Sequence, residues 1–261
     1  MATKNTGEED ELIANIKLIE LRDTGGFLFG KPVKSVGFAG KEFLSLPKGF
    51  NIAGLSKMDD AQLGKVGRTL GVNKAPALAK ADVFINGIGY SIKSNRKAPP
   101  ALINHTARPG FEKVCNRVGA KIDKLDGIIA EYWRLRNLGI ISEDTANHHS
   151  NSPFYQHKEF FRPILNYFLF QGTGKGDSKY PAKHIIGFSD PLLLNTWSLY
   201  DESNALDTLW DDLIFCLRAK KGMPKNYPNV SPRLRPLLSS YKMWTTYIDG
   251  GYRGALHIRS K

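Results

Sequence analysis

Asp82, Ser91 and Lys93 are spaced so that they could act together on a phosphate ester. A carboxylate such as Asp82 suits Mg2+, a hard cation that takes oxygen ligands. The bound ion polarises a phosphoryl oxygen and lowers the pKa of an attacking water. A lysine beside it can orient that water or meet the negative charge that grows in the transition state. Ser91 and Lys93 are two residues apart, so a strand turns both to one face.

A hairpin must position them. Ala81 to Ile85 reads as one strand, Asn86-Gly87 is a strong two-residue turn signal, and Gly89 to Ser94 reads as the returning strand. Register counted from the turn does not set Asp82 directly opposite Lys93, but both reach one sheet edge or face. An amphipathic hairpin turned to water would show the same bare pattern. The segment just beyond the hairpin favours nucleic acid. Ser94, Asn95, Arg96 and Lys97, then Asn104, His105 and Arg108, are dense in groups that bind phosphates and base edges.

The remaining chain alternates helical and extended patterns. Residues 1–10 read as a loose tail. Residues 11–22 read as a helix with Leu12, Ile13, Ile16 and Ile19 on one face, ending near Thr24-Gly25-Gly26. Residues 27–46 suggest short strands. A second helix is expected from a Ser56 cap, with Asp59 completing a capping box and Leu55 as staple, to a stop at Gly71. Further helices are expected over 111–118, over 122–138 before Gly139, and over 157–170 with a kink at Pro163. Segment 171–183 reads as an exposed basic loop; 184–188 and 254–259 read as strands. The expectation is an α/β fold, or α+β, with a mixed central sheet flanked by helices. It forms a single domain over 1–261, with 140–155 as the place for a sub-domain break.

Lys and Arg total 37 against 25 Asp and Glu, a net charge of +12. That surplus favours polyanionic partners. The two cysteines, Cys115 and Cys216, form no CxxC pair, so neither a zinc site nor a disulfide is expected, and a reducing cytoplasm fits. The acidic N-terminus lacks the apolar core of a secretory signal, and no apolar run reaches the roughly 18 residues of a membrane span. Gly172-Thr173-Gly174-Lys175-Gly176 lacks phosphate-loop spacing and reads as a flexible basic loop. His148, His149 and His157 match no ligand spacing. Asp201, Glu202, Asp207, Asp211 and Asp212 read as a solvated face or contact surface. Lys220, Lys221, Lys225, Arg233, Arg235 and Lys242, interleaved with Tyr227, Tyr241 and Trp244, suit either DNA contact or a basic surface.

On the residues Ala81-Asp82…Ser91-Ile92-Lys93 the chain resembles the PD-(D/E)XK nuclease superfamily, to which most type II restriction endonucleases belong. The resemblance implies a restriction-endonuclease-like core and Mg2+-dependent, site-specific cleavage of double-stranded DNA, with a homodimer expected on a palindromic site. Asp82 matches the first acid and Lys93 the lysine. Ala81 stands in place of the usual Pro, and Ser91 in place of the second acid. The missing carboxylate must then come from elsewhere: Glu112 on the 111–118 helix, or Glu42 upstream. Ser94, Asn95, Arg96, Lys97, Asn104, His105, Arg108, Lys175 and Lys179 are the expected DNA contacts. The alternatives are a non-catalytic nucleic-acid-binding protein, or a repair, junction-resolving or transposition nuclease of the same superfamily.

Overall fold

The computed structural model describes residues 6–96, 100–219 and 243–260. The chain forms two compact units, Met1–Pro100 with Ser178–Asn204, and Ala101–Asp177 with Ala205–Lys261. Each has its own apolar cluster. The divisions fall at 100/101, 177/178 and 204/205, while 140–155 lies inside the second unit.

The first unit opens with α1 (Thr6–Asp23), β1 (Phe27–Leu28), β2 (Lys31–Pro32), β3 (Val36–Phe38), β4 (Lys41–Glu42), α2 (Asp60–Thr69), β5 (Val83–Ile85) and β6 (Ile88–Ser94). The chain then builds β7 (Ala101–Ala107), α3 (Arg108–Val118), α4 (Ile122–Asn137), α5 (Lys158–Asn166), β8 (Gly172–Thr173) and β9 (Gly176–Asp177) in the second unit. It returns for β10 (His184–Phe188) and β11 (Trp197–Asp201). It finishes in the second unit with α6 (Ala205–Leu209), β12 (Leu213–Arg218), β13 (Thr246–Ile248), β14 (Gly251–Arg253) and β15 (Ala255–Ser260).

Helices and mixed sheets make this a mixed α/β fold. The main sheet of the first unit has six strands in the order β11-β10-β6-β5-β3-β4. β5 and β6 are antiparallel, whereas β10 runs parallel to β6. A parallel neighbour needs a long crossover, and here the whole of 101–177 lies between the two strands. The second unit holds a three-stranded sheet, β12-β15-β7.

The helix α1 begins at Thr6, so 6–10 are its first turn and no tail. It buries Ile13, Ala14, Ile16, Leu18 and Ile19, against one cluster that also holds Val83, Ile85 and Ile92. Each of the Ile and Leu side chains contributes roughly 1.5–3 kcal/mol. The capping box of α2 falls three residues later than expected: Asp59 is the N-cap, its carboxylate accepting from Gln62 N–H while Gln62 reaches back to the Asp59 N–H. Ile52–Lys57 forms a 3-10 helix instead, which moves Ser56 out of the capping position. The helix over 158–166 carries Pro163 and widens into a π turn at Tyr167–Gln171, through which Tyr167, Phe168, Leu169 and Phe170 are all buried. Segment 171–183 contains the small β8–β9 hairpin.

The β5–β6 turn is as expected, with Asn86 and Gly87 both at positive φ, 51° and 78°. Asn86 does more than turn the chain. Its Oδ1 accepts the N–H groups of Lys34 and Ser35, at 2.8 and 3.1 Å, and its Nδ2 donates to the Pro32 carbonyl at 2.8 Å. Asn86→Ala removes three hydrogen bonds and strains a positive φ. We expect it to lower stability by roughly 1–3 kcal/mol, read as a reduced urea midpoint at unchanged m-value.

Candidate active site

Asp82 sits just before β5, where its backbone N–H donates to the Tyr90 carbonyl at 2.8 Å and continues the ladder. One carboxylate oxygen, Oδ2, gathers three partners from β6. It accepts the Ile92 N–H at 2.7 Å and the Ser91 hydroxyl at 3.0 Å, and lies 3.6 Å from Lys93 Nζ. Among the described residues, Oδ1 has no hydrogen-bond partner. Ser91 is 4 % exposed, so its hydroxyl positions Asp82 and does not stand in for a charged second acid.

Lys93 lies at the centre of the sheet, on a strand flanked by β5 and β10, with Gly187 as its β10 partner. Its Nζ donates to the Ile92 carbonyl at 3.0 Å. Burial draws the ammonium's pKa down, but the charges of Asp82 and Glu11 and the hydrogen bond to Asp82 push it net upward, so it stays cationic.

Glu11 and Lys80 join these residues and were missed in the sequence. Glu11, on α1, shares the field of Asp82 and Lys93. Burial, opposed by Lys93 and reinforced by Asp82 and Glu8, raises its carboxyl to about 7. Lys80 is half-buried; burial first, then Lys93, lowers its amine to about 8 against the pull of Asp82. Its backbone N–H donates to the Tyr180 carbonyl at 3.0 Å, which pins the start of the hairpin to segment 178–183. That segment crosses β6 closely at Gly89, where a Cβ would lie 2.5 Å from the Pro181 carbonyl oxygen. Glu11 stands one residue ahead of the apolar run Leu12-Ile13, on a helix that the structure buries on nearly every side.

The expected carboxylate donors each have another partner. Glu42 is on the edge strand β4, two strands removed from β5, with an exposed carboxylate 3.9 Å from Arg22. Glu112 belongs to the second unit, 3.2 Å from Arg108.

Several expected DNA contacts are internal locks. Ser94 donates to Asp10 at 2.6 Å, and Arg96 pairs with the same carboxylate at 2.7 Å; Asp10 is only 1 % exposed. Arg108 is buried and forks onto Asp126 through Nε and Nη2, at 2.8 and 2.7 Å, while the Trp244 indole donates to that carboxylate at 2.7 Å. Trp244 is therefore a core residue of the second unit. Asn95, Asn104, His105, Lys175 and Lys179 are exposed. Lys97 lies outside the described residues, as do Lys220, Lys221, Lys225, Tyr227, Arg233, Arg235, Tyr241 and Lys242.

Of the other groups, Asp207 pairs with Lys158 and Arg162, at 2.7 and 2.8 Å, and His148 Nδ1 lies 2.9 Å from the Asp211 carbonyl. Cys115 and Cys216 are buried free thiols, and burial raises Cys115 to about 11. Among the described residues, no group of three or more His, Cys, Asp or Glu side chains forms a ready metal cluster, and no helix is long and apolar enough to cross a membrane. Comparison of the chain with protein-family models, curated proteins and solved structures gives no match.

The raised Glu11 carboxyl has a thermodynamic signature. Between about pH 4.5 and 7 the folded chain keeps a proton on Glu11 that the unfolded chain has released. Stability therefore falls as pH rises through that window. In metal-free buffer, Glu11→Gln is expected to match the parent in melting temperature at the acid end. Above pH 7 it should be the more stable, by on the order of 2 kcal/mol. Parallel melting curves that never separate would contradict the assigned environment.

Proposed function

We propose that the protein is a Mg2+-dependent endonuclease that cuts double-stranded DNA at specific sites, a cytoplasmic restriction-type enzyme acting as a homodimer on palindromic targets. The observation that carries this reading is the convergence of Asp82, Glu11 and Lys93 on one electrostatic site, with the Asp82 carboxylate oriented by the Ile92 N–H and the Ser91 hydroxyl. The order of α1, the antiparallel β3, β5 and β6, and the parallel β10 supports a restriction-endonuclease-like core.

The donor set suits a hard divalent cation. The Asp82 charge opposes ionisation of Glu11, and a dication would relieve that repulsion. Asp82, through Oδ1, and Glu11 are the residues that would hold it. A bound ion would supply Lewis acidity and an activated water. Lys93, kept cationic by the two carboxylates, meets the charge on the phosphate oxygens as the phosphodiester is attacked. The net charge of +12 draws the polyanion in, and the exposed Asn95, Asn104, Lys175 and Lys179 supply backbone and base contacts.

Incubation with supercoiled plasmid and Mg2+ should give discrete fragments, and chelation should abolish cutting. Lys93→Ala should cut roughly 100- to 1,000-fold more slowly, with DNA binding in Ca2+ retained. Equal cutting by parent and variant would remove the site assignment. Salt-sensitive binding without cutting under any metal would favour the non-catalytic reading.

A further inference from the structure

The three-stranded sheet of the second unit has two unlike faces. Leu213, Phe215 and Leu217 of β12, Leu256 and Ile258 of β15, and Ile103 of β7 enter the core. The strand alternation turns Cys216, Arg218, His257 and Arg259 to the other side, where His105 meets His257 edge to face with ring centroids 4.7 Å apart. His257 is 7 % exposed, while His105 is open to solvent.

Hydrogen bonding on that face is incomplete. The His257 ring bonds the Ile103 carbonyl, and its Nδ1, although buried, has no partner. The Nε atoms of Arg218 and Arg259 are also buried and unpartnered, although Arg259 is ion-paired to Asp144 through Nη2. Buried donors are nearly always satisfied in folded proteins. Three orphan nitrogens on one sheet face, with His257 in register between Arg218 and Arg259, point to something that binds there. Its sign follows from the field. Burial first, and then His105, Arg218 and Arg259, all positive or protonatable, lower the pKa of His257 to about 4.

We infer that this face of the second unit binds a phosphate-type oxyanion, which accepts hydrogen bonds from the Nε–H groups of Arg218 and Arg259 beside the His105–His257 pair. Arginine is suited to the task because its planar, permanently charged fork donates to phosphate oxygens in fixed geometry. An anion there would satisfy both arginine donors. It would also favour a proton on His257 Nδ1, which then becomes a third donor. Such a site needs neither Asp82 nor a divalent ion, and so stands apart from the nuclease reading.

The test is thermal unfolding without divalent metal, comparing sodium phosphate with sodium chloride at equal ionic strength. Phosphate in excess of its dissociation constant should raise the parent's melting temperature by on the order of 3 °C more than chloride does. Arg218→Gln and Arg259→Lys should each lose most of that increment. Arg218 is only half-buried, and lysine preserves the charge facing Asp144, so at least one variant should keep the parent's circular dichroism. Displacement of bound phosphate by a short DNA duplex would identify the nucleic-acid backbone as its source. Binding that the duplex does not displace would identify a free phosphate or phosphorylated small molecule, with the site still upheld. Equal shifts in phosphate and chloride, or an increment retained in both folded variants, would overturn the inference and leave the Asp82 site untouched.

Discussion

The Asp82 carboxylate is the constraint around which the first unit is arranged. A half-buried carboxylate is costly unless hydrogen bonds and opposite charge offset its lost hydration. Asp82 obtains both from a single neighbouring strand: a backbone N–H, a hydroxyl and an ammonium all lie within reach of Oδ2. The Ile92 N–H bonds the Asp82 side chain, and the β5–β6 backbone pairing ends with the Asp82 N–H on the Tyr90 carbonyl. The outer end of the hairpin is held by segment 178–183, through the Tyr180 carbonyl and the close approach at Gly89. One interaction thus fixes the geometry of the site at the place where regular pairing ends.

The same economy explains why α1 matters to the chemistry. Its apolar residues pack with the hairpin in one cluster, and that packing brings Glu11 into the field of Asp82 and Lys93 at the cost of a raised pKa. On the proposed function, stability and metal binding pull in opposite directions at Glu11. An isolated chain would do better with a neutral residue there, whereas a cation site needs the charge. Asp10, next along the helix, locks the far end of β6 through Ser94 and Arg96, so two adjacent acids of α1 serve different ends.

Much of this was legible in the sequence. The hairpin was readable because Asn86-Gly87 states its turn chemistry locally, and Asp82, Ser91 and Lys93 fall on it at recognisable spacing. The mixed α/β class followed from alternating periodicities, and most helices ended at the expected glycines. What was not legible depended on long-range packing. Glu11 looked like the polar edge of a helix because nothing local reveals that α1 is buried on nearly every side. Arg96 and Arg108 looked like DNA ligands because a sequence shows their charge but not Asp10 or Asp126 facing them. Glu112 was favoured by closeness along the chain, yet it lies beyond the unit boundary at Pro100, where Pro99-Pro100 marks a break in the chain.

The central claim is that Asp82 and Glu11 together form the cation site. Titration of the metal-free protein with Mn2+, followed by electron paramagnetic resonance, tests it most directly. The account predicts that Glu11→Gln and Asp82→Asn each weaken binding by at least roughly tenfold, while Glu112→Gln and Glu42→Gln bind as the parent does. Parent-like binding by Glu11→Gln, with loss in Glu112→Gln, would contradict it.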